Sequence, residues 1–181
     1  MVTLGVISDT HVPDRTRKLN PAVLRHFKQA EVSAILHAGD ILAPRVLDQL
    51  GEVAPVFAVR GNRDWLWLRQ LPKTRLLEFA GVTIALTHGH GQVGRYLIDR
   101  FYFLLNGYQP ERLLPRLLAT FPLARAIVFG HGHEPLNQWI NGQLIFNPGA
   151  AFLSNRAELN PSIGLLHISQ GGQVQGEIIE L

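Results

Sequence analysis

The sequence predicts an α/β fold built on two β-sheets, and three observations carry that expectation. Apolar, β-branched runs alternate with helical patterns through the N-terminal third, which is the signature of a βαβαβ unit. That pattern then gives way to a hairpin, two strand-like segments around Ala80-Gly81, so the architecture is not purely doubly wound. Short strands separated by Asn141-Gly142 and Gly171-Gly172 turns close the chain.

The elements follow in order. Val2–Ile7 reads as the first strand. Asn20-Pro21 then looks like an N-cap with proline at the first helical position, opening a helix over residues 20–30. A second strand runs to Gly39-Asp40, Pro44 opens a helix to about Leu50, and residues 53–59 form a third strand leading to Gly61-Asn62. Residues 75–79 and Val82–Thr87 form the hairpin. Residues 92–105 and Pro110–Thr120 carry helical spacing of apolar side chains. A strand ending at Phe129 precedes strands at Leu136–Ile140, 143–146, 164–168 and 174–179.

Composition bounds the function. The 181 residues, 46% hydrophobic and 17% charged, suffice for one substantial core, and no linker or repeat divides them, so one domain over 1–181 is expected. Cysteine is absent, which excludes a disulfide framework and a thiolate zinc site. Any metal must be held by carboxylate, amide and imidazole groups, which suit manganese, iron or zinc. The chain opens directly on a strand with no signal-like segment, so a cytoplasmic location is expected. Its longest apolar stretch, near Tyr96, is broken by Asp99 and Arg100 and falls short of the roughly 20 residues a membrane span needs. The net charge of +3 favours anionic ligands weakly, but dispersed arginines give nucleic acid little support.

Five short stretches carry the chemistry: Ser8-Asp9-Thr10-His11, Gly39-Asp40, Gly61-Asn62, His88-Gly89-His90 and Gly130-His131-Gly132-His133. Each follows a strand-like run, and the C-terminal ends of strands are where open α/β sheets place their sites. Asp9 and His11 stand two residues apart, a spacing that lets a tight loop aim both at one ion, and His131 and His133 repeat it. Asp40, preceded by the small Gly39, is the natural carboxylate to bridge a pair of ions. Two cations about 3.5–4 Å apart can hold a phosphoryl group and activate a water. The pattern reads as a two-metal hydrolase. Taken singly, Asp-X-His, Gly-Asp and Gly-Asn are common turn sequences; their order and their positions at strand ends give them weight. His26, His37 and His167 lie outside these loops and read as ordinary helix or strand residues.

In this order, Asp-X-His, Gly-Asp, Gly-Asn, Gly-His and Gly-His-X-His, the motifs resemble those of the calcineurin-like metallophosphoesterases. The segment 87–90 (Thr-His-Gly-His) and the Asn147-Pro148-Gly149 turn resemble the small bacterial and archaeal phosphodiesterase branch, which also includes the retromer scaffold subunit. The resemblance implies a four-layer αββα sandwich of two mixed sheets flanked by helices. It implies Asp9, His11 and His133 on a first ion, Asn62, His88 and His131 on a second, and Asp40 bridging. The cofactors would be two divalent ions, manganese first, with iron, zinc and nickel as alternatives.

The chain departs from the family where relatives often carry histidine or cysteine after the Gly-Asn asparagine; Arg63 stands here. Arginine holds its proton near neutral pH. Arg63 is thus a candidate phosphate clamp, against the plain alternative of a surface arginine paired with Asp64. His90 is the other candidate catalytic or substrate-facing residue, and Asn62 is also expected to contact substrate. Trp65 and Trp67, just past Asn62, are expected to pack in the core, with stacking on an aryl or base group as the alternative. Tyr96, Phe101, Tyr102 and Phe103 would ring a helix, which calls for a cover such as the rest of the chain, a partner subunit or a lid.

The leading expectation is therefore a metal-dependent phosphodiesterase acting on a small phosphate ester. A protein-binding scaffold with a vestigial site is the alternative, and a nuclease a weaker one. A homo-oligomer is left open.

Overall fold

A computed structural model describes residues 1–90, 110–152 and 160–181. The expected helix at 92–105 and its aromatic ring of Tyr96, Phe101, Tyr102 and Phe103 lie outside the described residues.

Five strands form the first sheet: β1 (Val2–Ile7), β2 (Ala34–His37), β3 (Val56–Ala58), β9 (Ser162–Ile168) and β10 (Val174–Glu180), in the order β10-β9-β1-β2-β3. The second contains β4 (Thr74–Phe79), β5 (Val82–Thr87), β6 (Ala126–Val128), β7 (Leu136–Ile140) and β8 (Gln143–Asn147), in the order β4-β5-β6-β8-β7. Both sheets are mixed. β1, β2 and β3 run parallel in one, with β9 and β10 added antiparallel on the β1 side; β5, β6 and β8 run parallel in the other, with β4 and β7 antiparallel at its two edges.

Period-two alternation sorts the side chains into layers. Leu4, Val6, Leu36, Ile84, Leu86, Val128, Leu144, Phe146 and Leu166 are buried between the sheets. Ile7 and Ile35 face the other way, against Val23 and Phe27 of α1 (Pro21–Gln29) and Val46 and Leu50 of α2 (Pro44–Gly51). Ala85, Ile127 and Ile145 pack against Leu113 and Leu117 of α3 (Pro110–Thr120). The four layers are helix, sheet, sheet, helix, as expected. Strands covered on both faces must be apolar throughout, which is why these runs lack a polar phase.

Local signals explain most boundaries. The Asn20 side chain accepts the Ala22 N–H, capping α1 as its sequence predicts. The third strand is shorter than the expected 53–59, because the N–H groups of Val53 and Ala54 still bond to the Leu50 carbonyl at the end of α2. No helix among the described residues is long and apolar enough to cross a membrane.

Register is what builds the site. Ile7 pairs with His37, which pairs with Ala58, so β1, β2 and β3 end level with one another. In the other sheet Leu86 pairs with Val128 and Val128 with Phe146, so β5, β6 and β8 also end together. The loops after β1, β2, β3, β5 and β6 bear the five motifs, and the two sheets bring them together at one edge.

Candidate metal centre

The loops approach one another so closely that a β-carbon is excluded where they touch. One built on Gly61 would collide with Asp40 Oδ1, and one on Gly130 would collide with Ser8 Oγ and lie 2.7 Å from Asp9 Oδ2. The glycines of the Gly-Asn and Gly-His motifs are there for contact between loops. The sharp turns fall on the functional residues themselves: Asp9, His11, Asp40, His131 and His133 all have φ between 48° and 70°. Each such non-glycine residue costs about 1–2 kcal/mol, and such strain clusters at functional sites.

Within this edge the side chains form two groups, Asp9 with His11 and His133, and Asp9 with Asp40 and His88. In the first, Asp9 Oδ1 lies 3.3 Å from His133 Nε2 and 3.6 Å from His11 Nε2, and the two imidazole nitrogens are 3.4 Å apart. Donors about 2.1 Å from a common ion stand about 3.0 Å apart in an octahedron and about 3.4 Å in a tetrahedron, so this triangle fits one ion. Asp9 Oδ1 is buried and has no hydrogen-bond partner among the described residues, a costly state for a carboxylate oxygen unless a cation faces it. Its companion, Oδ2, accepts the Ser8 hydroxyl and the His131 N–H.

Asp40 spans the two groups, with Oδ2 at 3.7 Å from His11 Nε2 and Oδ1 at 3.6 Å from His88 Nε2. His88 Nδ1 is 2.7 Å from the Ala38 carbonyl, which can only accept, so Nδ1 carries the proton and Nε2 is aimed at the cluster. Asn62 Oδ1 lies 3.1 Å from that Nε2. His131 stands just outside the two groups, its ring centroid 5.1 Å from that of His88. The edge thus brings together all seven residues of the expected set, with Asp9 common to both groups rather than confined to one.

Electrostatics follow from packing two carboxylates among imidazoles. Burial works against the Asp9 charge, yet the rings of His11 and His133 and the charge of His88 hold its pKa well below the usual range. Burial, with Asp9 nearby, pushes Asp40 up. His88 is raised despite its burial, because Asp40 and Asp9 favour its cationic form. Burial and the neighbouring His88 push His131 down to about 3 and His90 down to about 4. His90, half-buried with its ring 5.3 Å from His88, is therefore neutral at pH 7.

Arg63 does not pair with Asp64. Its guanidinium bonds to Asp14, and both side chains are 38% exposed, while the Arg63 N–H donates to Asp40 Oδ1 at 2.8 Å. Asp64 is buried and accepts four backbone N–H groups, those of Asp40, Ile41, Leu42 and Gly61, at 2.8–2.9 Å. Trp65 and Trp67 are not core residues. They are 70% and 57% exposed, and Leu68, at 2%, takes the buried position of that loop.

Several supports have no role at the site in the sequence reading. His37 is fully buried beneath the site, with Nδ1 accepting the Gly39 N–H and Nε2 at 3.3 Å from Thr10 Oγ1. Asn147 donates to the Gly130 carbonyl and accepts the Gly149 N–H, tying β8 to the His131 loop. Phe152 sets its ring edge-on to both His11 and His133. A polar residue within three positions of a motif glycine, as at Asp64 and Asn147, was the available signal. His26 and His167 lie on α1 and β9, as expected of ordinary residues.

Residues 2–171 match the calcineurin-like phosphoesterase superfamily domain. The chain belongs to that superfamily. A probable metallophosphoesterase of Methanothermobacter thermautotrophicus is 32% identical over 97% of this chain and 91% of its own length. A phosphodiesterase of Methanocaldococcus jannaschii is 24% identical over 90% of this chain and 91% of its own. Among solved structures, a variant of Vps29 from Entamoeba histolytica superposes with a TM-score of 0.74 at 22% identity, covering 99% of each chain, which shows a common fold. As a superfamily member with these relatives, the chain is a metal-binding phosphoesterase hydrolase.

Proposed function

We propose that this calcineurin-like phosphoesterase is a two-metal phosphodiesterase of small phosphate esters. The observation that carries the reading is Asp9 Oδ1, a buried carboxylate oxygen without a hydrogen-bond partner among the described residues, set 3.3 and 3.6 Å from two imidazole nitrogens. Asp9, His11 and His133 would hold one divalent ion, Asn62, His88 and His131 the other, and the two oxygens of Asp40 would serve both. Asp9 faces both groups and would add charge to the second. The ions, when bound, would supply Lewis acidity and a hydroxide nucleophile at neutral pH. An oxygen- and imidazole-rich set without sulfur suits manganese, with iron, zinc and nickel as the other candidates.

The remaining residues point to diesters. His90, held down to about 4 by burial and His88, is a neutral imidazole at pH 7 and has no acidic proton to give. Arg63 cannot release one. With neither of these candidates acidic among the described residues, the leaving group would depart as an anion, which favours esters of acidic alcohols and phenols. Arg63 is well placed to bind a phosphate oxygen from the rim, since its backbone is fixed to Asp40 and its guanidinium is partly exposed. The fold shared with Vps29 does not separate enzyme from scaffold; the complete donor set supports the enzyme.

The test is to strip the protein with a chelator and restore Mn²⁺, Ni²⁺, Zn²⁺ or Mg²⁺. Hydrolysis of bis(p-nitrophenyl) phosphate is then compared with that of p-nitrophenyl phosphate. Metal-dependent turnover favouring the diester is expected. Ions that bind without restoring hydrolysis of either ester would return the chain to the scaffold reading.

A further inference from the structure

Trp65, Leu66 and Trp67 are consecutive and 70%, 53% and 57% exposed. That much apolar surface in one place is unusual unless something covers it. The segment is held at both ends: Asp64 is fastened by four backbone N–H groups, and the Leu68 N–H bonds to the Asp64 carbonyl while its side chain is buried. The two indoles are therefore presented by an anchored loop.

They do not stand alone. Trp65 and Trp67 line one shallow cleft of about 360 Å³, open to solvent, together with Pro13, Asp14, Leu42 and Arg63. It has room for one flat ring laid against the indoles. Two residues of its polar wall touch the metal centre. Arg63 donates its N–H to Asp40 Oδ1, its guanidinium pairs with Asp14, and Asp14 Oδ2 lies 3.8 Å from His11 Nδ1. Apolar on one side and charged where it meets the proposed ligands, the cleft matches a molecule with a flat ring at one end and a phosphate at the other.

We propose that this cleft binds the aromatic ring of the substrate, an aryl or nucleobase group on one arm of the phosphate ester, by stacking against Trp65 and Trp67. The inference rests on the phosphoesterase reading and names its substrate class. Stacking of a ring on an indole strengthens binding by about 1–3 kcal/mol, about fivefold to a hundredfold. Arg63 at the boundary would engage the phosphate of the same molecule, so ring and charge are recognised together.

The experiment measures binding apart from turnover. Phenylphosphonate and ethylphosphonate are titrated into the Mn²⁺-loaded protein, followed by calorimetry and by quenching of tryptophan fluorescence, with the wild type and with a Trp65→Ala, Trp67→Ala double variant. The wild type should bind the phenyl compound about tenfold more tightly and show quenching; the double variant should bind both equally. Both tryptophans are exposed, so the variant should keep its fold, which far-ultraviolet circular dichroism verifies. Thymidine 5′-monophosphate as a third probe distinguishes the ring source, and dependence of either aromatic probe on the tryptophans supports the cleft. Equal binding of aromatic and alkyl probes by the wild type, or a preference that survives the double substitution, overturns the proposal. Bis(p-nitrophenyl) phosphate turnover is read separately. Tryptophan-dependent binding without turnover would fail the phosphodiesterase reading alone, and turnover without ring preference would fail the cleft alone.

Discussion

Asp64 Oδ2 accepts the backbone N–H of Asp40 at 2.9 Å, so a carboxylate with no place among the proposed ligands holds the loop of the one that spans both groups. The same oxygen takes the Gly61 N–H, and Oδ1 takes those of Ile41 and Leu42. The β2 and β3 loops are thereby joined through one side chain. Asp64→Asn would turn an amide NH₂ toward two N–H donors, and should cost about 3 kcal/mol, the scale of lost charge-assisted bonds. Thermal or denaturant unfolding of the metal-free protein measures this. Wild-type stability in that variant would mean the loops are held by something else.

Gly130→Ala should be as disruptive for a different reason. The added methyl meets Ser8 Oγ and Asp9 Oδ2, both fixed by their own bonds, and overpacking of this kind costs about 1–3 kcal/mol. Metal content should fall with it, since Asp9 must move. Gly51→Ala is the contrast: it ends α2 with nothing within 4 Å of the new carbon, and should be neutral or slightly stabilising. Melting temperatures and bound metal of the two variants decide the point.

The layers were readable because burial on both faces forces long apolar runs, and the strand-end motifs because histidine is chemically distinctive. What hid was whatever depends on distance across the chain. Asp64 looks like a turn residue until the β2 loop is folded against it, and His37 like a strand residue until Thr10 is placed above its ring. Trp65 and Trp67 show the converse error. Hydrophobicity predicts burial, but Leu68 had already filled the buried position.

Replacing Asp40 by Asn should remove more bound metal and more activity than any change at a single terminal ligand, because its two oxygens face His11 and His88 separately. His131→Ala and His133→Ala should each leave a protein that retains one ion. Metal analysis of the purified variants checks both. Two ions per chain and near-native turnover in Asp40→Asn would remove it from the bridging role.

His37 gives the fold a pH dependence of its own. Burial pushes its pKa from 6.5 down to about 4, so the native state keeps it neutral where the unfolded chain takes up a proton. Above pH 6.5 both states are neutral and nothing changes. As pH falls from 6.5 toward about 4, stability is lost at about 1.4 kcal/mol per pH unit. A non-titrating His37→Gln variant should lack this component, so its stability relative to wild type should improve as pH falls across that window. Denaturant unfolding of both metal-free proteins at pH 7, 6, 5 and 4 measures the difference. A constant difference would show that His37 does not titrate between the two states.

Arg63 yields the sharpest test, because it stands where relatives often carry a residue able to give up a proton. With no strong acid at the leaving group, rate should fall steeply as leaving-group pKa rises, and nitrophenyl diesters should far outpace alkyl esters. If Arg63 holds a phosphate oxygen, Arg63→Ala should lose about 2 kcal/mol of transition-state stabilisation, about thirtyfold in kcat/KM, without changing that slope. Arg63→His should trade binding for protonation and flatten the slope, improving poor leaving groups relative to good ones. Asp14 adds an independent arm. It competes for the guanidinium in the free protein, so Asp14→Asn should release Arg63 to the substrate and lower KM for anionic diesters. The measurement is kcat/KM over a graded series of aryl esters for the wild type and all three variants. Identical slopes and rates throughout would leave Arg63 a surface partner of Asp14 with no part in the reaction.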